Sequence, residues 1–255
     1  MMNVSSRTSK VALVTGASRG IGAATVLALA RDGYAVGINY LSSDNAAQQL
    51  LDEVVKLGGR AVLLKADVSQ QNEVEQIFLR LDKELGTIDV LVNNVGILLP
   101  QSSVVDMDAE RILRVLQTNV LSAFLCSKYA IQRMSTQFHG KGGAIVNVSS
   151  AAARLGSPNE YVDYAASKGA IDSLTKGLSL ELAPQGIRVN CVRPGFIHTD
   201  IHAAGGDPLR VDRLSAGIPL GRGGYPNEVA ETICFLASDA SSYMTGAFLD
   251  IAGGK

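Results

Sequence analysis
The chain has 255 residues, 47% of them hydrophobic and 18% charged, and a formal net charge of −1 at pH 7. That length and apolar content suit one large core in a single α/β domain over 1–255. The balanced charge, with no basic run beyond a dipeptide, gives no electrostatic reason to expect nucleic acid or an anionic membrane as partner.

No apolar run approaches the roughly 20 residues of a membrane helix. The polar first ten residues hold no apolar h-region, so no secretory signal is expected, whereas a flexible segment over 1–9 and a cytoplasmic location are. Cys126, Cys191 and Cys234 are odd in number and far apart. That pattern fits buried thiols better than a disulfide frame or a zinc site.

In chain order, short β-branched runs at 11–15, 35–40, 61–65, 88–92, 144–149, 188–192 and 247–251 read as strands. They are nearly continuous in hydrophobicity, as expected of a parallel sheet covered on both faces. Helical periodicity fills 21–32, 45–57, 71–85, 108–137 (in one piece or two), 163–183 and 226–238. Gly33, Gly58, Gly86 and Gly186 stand where those helices stop. Strand and helix alternating at this spacing predict right-handed crossovers and a doubly wound parallel sheet of about seven strands. The Gly- and Pro-rich stretch from 194 to 219 reads as a long functional loop, with 196–217 as a substrate lid hinged near Gly205, Gly206 and Pro208.

The first strand-to-helix turn is Thr15-Gly16-Ala17-Ser18-Arg19-Gly20-Ile21-Gly22. Glycines there let backbone approach a pyrophosphate, and the helix N-terminus offers free N–H groups and a positive dipole end. Gly16, Ser18, Arg19, Gly20, Ile21 and Gly22 are therefore candidate contacts to a dinucleotide. An acid at the end of the second strand would hold the ribose 2′-hydroxyl of NAD. Here that end is Asn39-Tyr40-Leu41-Ser42-Ser43, and the nearest acid, Asp44, belongs to the next helix. With Arg19 available to a 2′-phosphate, NADP(H) is favoured over NAD, and Asn39 and Ser42 are candidate contacts. Asp67 and Val68 follow the third strand, where the carboxylate could accept from an adenine amino group or cap a helix.

Tyr164 and Lys168 are four apart on a helical stretch and share a face. A tyrosine is a poor acid or base at neutral pH, and a neighbouring ammonium is expected to lower its pKa toward the working range. Tyr161 has no such partner, because Ala165 stands four residues on. A hydroxyl from Ser149 or Ser150, at the end of a strand, could hold a substrate oxygen. His198 and His202 are also four apart, but no metalloprotease-type glutamate accompanies them, and no metal is expected. Arg154, Arg210 and Arg213 could meet an anionic substrate, but read as solvated charges.

With these motifs in this order, the chain resembles the short-chain dehydrogenase/reductases from about residue 11 to 254. The resemblance rests on 15–22, Asn93-Asn94-Val95-Gly96, Asn119, Ser149-Ser150, the Tyr164 to Lys168 run and Pro194-Gly195. It implies a single-domain Rossmann fold, with Tyr164 as general acid/base and Lys168 as its electrostatic partner and ribose ligand. Ser150 would orient the substrate, and Asn119 would support a proton relay. It further implies Asn94 and Gly96 near the adenosine ribose, and Pro194, Gly195, Ile197 and Thr199 along the nicotinamide. Within the family the similarity is to glucose 1-dehydrogenase-like and 3-oxoacyl-carrier-protein-reductase-like enzymes, and a dimer or tetramer is implied. The expected activity is hydride transfer between NADP(H) and a small carbonyl or secondary-alcohol substrate. A carrier-protein-dependent 3-oxoacyl reductase and a non-catalytic NADP(H) sensor are the competing readings.

Overall fold
The computed structural model describes residues 9–255, so most of the expected flexible segment 1–9 lies outside the described residues. Elements follow in the order β1 (Val11–Val14), α1 (Gly20–Arg31), β2 (Ala35–Tyr40), α2 (Asp44–Lys56), β3 (Ala61–Lys65), α3 (Gln71–Glu84) and β4 (Val90–Asn93). Next come α4 (Ala109–Leu116), α5 (Ser122–Met134), β5 (Gly143–Val148), α6 (Ala152–Leu155), α7 (Val162–Leu182) and β6 (Ile187–Pro194). The chain closes with α8 (Ile201–Ala204), α9 (Arg210–Leu214), α10 (Pro226–Ala237) and β7 (Phe248–Ile251).

The seven strands form one all-parallel sheet in the order β3-β2-β1-β4-β5-β6-β7. Because side chains alternate along a strand, each strand feeds two cores. Ala12, Val14, Val36, Ile38, Val90 and Val92 pack with Val26 and Leu29 of α1, Leu50 and Val54 of α2 and Ile233 of α10. Val11, Leu13, Leu64, Leu91 and Ile145 pack with Phe78 and Leu81 of α3, Cys126 and Met134 of α5 and Leu182 of α7. All three cysteines are buried free thiols.

Three expectations need adjustment. Residues 88–92 do not form the fourth strand as drawn; it runs Val90–Asn93, because Asp89 is a bracket for β1, accepting from the Val11 amide at 2.7 Å. The helical stretch expected at 108–137, in one piece or two, is α4 and α5 joined through a π-helical turn over Gln117–Leu121, and it ends at Met134. The stretch 194–219 is not a plain loop, since it contains α8, α9 and a 3-10 turn at Ser215–Gly217. Strand order reverses between β1 and β4, and ligands of such sheets bind outside the carboxyl ends of the strands at that reversal.

Candidate active site
A cleft of about 870 Å³ opens at those carboxyl ends, lined by the turns after β1, β2, β3, β4, β5 and β6. At one end lies the glycine turn. Gly16 and Gly20 have φ of +60° and +56°, and a Cβ on Gly22 would sit 2.6 Å from the Gly16 carbonyl oxygen. Only glycine fits there. Arg19 is the N-cap of α1 and makes no side-chain bond to its first turn, so those amides are left facing the cleft. A cradle closed to side chains beneath an uncapped helix start fits a pyrophosphate.

The cradle is held by side chains spent within the protein. Asn39 is buried; its Oδ1 accepts from the Gly16 amide at 3.2 Å, and its Nδ2 donates to the Leu64 and Ala66 carbonyls. Asn94 Nδ2 donates to the Thr15 and Gly16 carbonyls at 2.9 and 3.0 Å, and Thr15 Oγ1 accepts from the Asn94 amide. Asp67 Oδ1 accepts from the Ser69 amide, while Gln70 occupies the N-cap of α3 without a side-chain bond. Ser42, Asp67 and Val68 line this end beside Ser18, Arg19 and Ile21. Asp44 is turned away and pairs with Lys65 at 2.8 Å.

At the middle of the cleft, Tyr164 and Ser150 stand side by side, with Lys168 Nζ 5.6 Å from the Tyr164 ring centroid. Lys168 is buried and donates to the Val148 carbonyl at 2.8 Å. Gly96 gives it room, since a Cβ there would lie 3.3 Å from Nζ. Ser149 is buried and donates to the Lys168 carbonyl, which leaves Ser150 as the serine at Tyr164. Asn119 sits in the π turn; its Nδ2 donates to the Ile97 carbonyl and Ser167 Oγ, and its Oδ1 accepts from the Ile97 amide. The pKa of Tyr164 runs opposite to expectation. Desolvation of the hydroxyl pushes it up to about 12 against the pull of Ser150, and burial brings Lys168 down to about 8.

Pro194 accepts from the Ala151 amide, and Gly195 lies so close to Ala252 that a Cβ would be 2.8 Å from its Cα. Ile197 is buried, and Thr199 reaches back to the glycine turn, its Cγ2 3.3 Å from where a Gly20 Cβ would stand. At the far end, Tyr161 Oη donates to the Gly205 carbonyl at 2.9 Å.

The sequence profile described as "Enoyl-(Acyl carrier protein) reductase" matches residues 16–255. An uncharacterized oxidoreductase, YgfF, of Escherichia coli is 58% identical over 96% of this chain and 99% of its own. A 3-oxoacyl-[acyl-carrier-protein] reductase of Synechocystis is 41% identical over 97% of each chain. The crystal structure of a short-chain type dehydrogenase/reductase from Mycobacterium marinum superposes with a TM-score of 0.90 at 39% identity, covering 97% of this chain and 96% of that one. The chain belongs to the short-chain dehydrogenase/reductase family. It is an oxidoreductase by that membership.

Sequence reasoning missed parts of this short-chain dehydrogenase/reductase's cleft. Arg210, read as a solvated charge, is buried, with its guanidinium 4.7 Å from the Tyr161 ring centroid. Arg154 and Arg213 are exposed and pair with Asp250 and Asp207. The lid histidines do not form a pair. His198 stacks on Tyr225, and half-buried His202 bonds the Ile197 carbonyl through Nε2. Burial lowers the pKa of His202. A buried ion pair, Arg111 Nε to Asp163 Oδ2 at 2.8 Å, braces the first turn of the helix bearing Tyr164. Among the described residues no cluster of three or more His, Cys, Asp or Glu side chains could hold a metal, and no helix is long and apolar enough to cross a membrane.

Proposed function
We propose that this protein is an NADP(H)-dependent oxidoreductase acting on a carbonyl or secondary-alcohol substrate, with Tyr164 as general acid/base. The observation that carries the reading is the convergence of Tyr164, Ser150 and buried Lys168 in a cleft whose other end is the glycine cradle. A bound nicotinamide supplies the hydride in reduction and accepts it in oxidation. Ser150 donates to the substrate oxygen and fixes it next to the Tyr164 hydroxyl. As negative charge develops on that oxygen, Tyr164 transfers its proton there. A phenol held near 12 is a suitable donor, because a secondary alkoxide is far more basic than phenolate. In the reverse direction the phenolate must form in a desolvated cleft, and the Lys168 ammonium is the charge that stabilises it.

Arg19 supports NADP over NAD. It is exposed, lines the cleft together with Ser42 and has no ion pair among the described residues, and Asp44 is engaged by Lys65. Asn94, Gly96, Pro194, Gly195, Ile197 and Thr199 would complete the dinucleotide site, with residues 196–217 acting as its lid. Exposed Leu113 and Leu116 of α4, Leu121 of the π turn and Phe124 of α5 support a dimer or tetramer. The names of the 3-oxoacyl-[acyl-carrier-protein] reductases among the relatives support a second reading, a carrier-tethered 3-oxoacyl substrate.

The test follows nicotinamide absorbance with small aldehydes and ketones, and with 3-oxoacyl thioesters free and carrier-bound, using each cofactor. Turnover with NADPH that falls about 10²–10⁴-fold in Tyr164→Phe is expected. Arg19→Ala with Ser42→Asp should lower kcat/KM for NADPH by roughly one to two decades. A wild-type protein that uses NADH better than NADPH overturns the cofactor assignment, and one whose Tyr164→Phe variant keeps its rate overturns the acid/base role.

A further inference from the structure
Arg210 is the one cation among the described residues lining the far end of the cleft that is both deeply buried and incompletely bonded. It is 7% exposed. Its Nη2 donates to Glu160 Oε2 at 2.6 Å, and its guanidinium lies 4.7 Å from the ring centroid of Tyr161 and 5.6 Å from that of Phe196. Its Nη1 is buried with no partner. Leaving a charged donor buried and unbonded is costly, and proteins keep such groups where a ligand completes them.

The surroundings select the sign of that ligand. Arg210, Tyr161 and Phe196 line the same cleft as Tyr164, and Lys255 joins them with its Nζ 5.9 Å from the Phe196 ring centroid. Glu160 is not on the lining, and the acids that are, Asp67 and Asp200, belong to the adenine end and to the surface. Glu160 already takes one edge of the guanidinium, so a single negative charge suits the remaining N–H better than a phosphate dianion. Tyr161 is the N-cap of α7, one turn before Tyr164, so a short carbon chain joins the two positions.

We propose that the far end of the cleft is a carboxylate subsite, in which Arg210 Nη1 receives the acid group of a substrate whose carbonyl lies at Tyr164. This rests on the oxidoreductase reading above and adds the substrate class, oxo acids or hydroxy acids. The aromatic rings hold the guanidinium plane in place, so the anion meets a pre-oriented donor.

The experiment compares oxo acids of graded chain length with their methyl esters, using NADPH, in wild type and in Arg210→Met, Arg210→Lys and Arg213→Met. In wild type, kcat/KM should favour the acid of the best-fitting length by about tenfold to a hundredfold over its ester. Arg210→Met should erase that ratio, Arg210→Lys should restore part of it, and exposed Arg213→Met should leave it alone. The wild-type ratio stands as a test even where Arg210→Met fails to fold. Esters turned over as well as acids at every length would overturn the subsite and leave the oxidoreductase reading standing. No turnover of any carbonyl compound would bring down both.

Discussion

The two ends of the cleft are built on different terms. At the glycine end, Thr15, Asn39 and Asn94 spend their side-chain bonds on the Gly16 turn and on adjacent strands, so the cradle is part of the sheet. At the far end, residues 201–214 form two short helices tied to the body through Tyr161–Gly205 and Glu160–Arg210. The cradle can disassemble only with the sheet, whereas the far wall is held by side-chain contacts to Glu160, Tyr161, Phe196 and Ile197 and can leave without it. A site that must hold one constant ligand and admit varied ones gains from that asymmetry.

The largest expected effect comes from the brace between the two ends. Arg111 Nε holds Asp163, Arg111 Nη1 donates to the Pro100 carbonyl, and Asp163 Oδ1 accepts from the Tyr164 amide. Arg111→Met strands a buried carboxylate and should lower unfolding stability by about 3–5 kcal/mol, with kcat reduced as well. Pairing it with Asp163→Asn should recover most of both in a double-mutant cycle. Additive losses would show that the two residues do not act as a pair.

Next in size, Gly22→Ala attacks the cradle. Its Cβ would meet the Gly16 carbonyl oxygen and Asn94 Nδ2 at 2.6 and 2.7 Å, so a loss of about 1–3 kcal/mol is expected, with at least a roughly tenfold weaker cofactor Kd. Calorimetry and titration of cofactor fluorescence read the two quantities. Normal affinity in a destabilised variant would mean that the cradle tolerates displacement.

Lys168 sharpens the comparison from the other side, because it stores instability. Its pKa falls from 10.5 to about 8 through burial, so between those values the unfolded chain holds a proton that the folded one lacks. The contribution of Lys168 to stability should therefore rise with pH from about 8 to 10.5, the burial penalty being fully present below 8, while above about 9 the buried thiols of Cys126, Cys191 and Cys234, raised to about 12, pull the other way. At pH 7 that penalty is on the order of 3 kcal/mol. Lys168→Met, which also forfeits the bond to the Val148 carbonyl, should raise stability at pH 7 by roughly 1–3 kcal/mol while abolishing turnover. A variant less stable than wild type at pH 7 would refute the burial account.

The smallest effect belongs to the far wall. Tyr161→Phe removes the bond to Gly205 and should cost about 1 kcal/mol, with amide exchange accelerated within 201–214 and unchanged in the strands. Acceleration spread evenly over the chain would mean that the far wall is no looser than the cradle.

The sheet was legible because strands covered on both faces read as unbroken apolar runs, and the glycine turn because closeness of backbone to ligand leaves a run of small residues. Tyr164 and Lys168 were legible through helical spacing. The burial that sets their pKa values was not, since it arises from segments far apart in sequence. Likewise Arg210 pairs with Glu160, and Arg111 with Asp163, across 50 and 52 positions, where no local periodicity records the partnership.

The π turn at Gln117–Leu121 has a consequence for how this chain tolerates length changes. One surplus residue in a helix advances its phase by about 100°, so everything downstream points elsewhere. Here that residue lets Asn119 reach both Ile97 and Ser167 while Cys126 and Met134 still find the core. Deleting Thr118 would restore an ordinary helix and leave those two side chains on the core, while Asn119 would lose the wide turn from which it reaches Ile97 and Ser167. The irregularity is thus a phase correction written into the chain: one extra residue is absorbed within a single turn, and the helix after it stays in step with the helix before it.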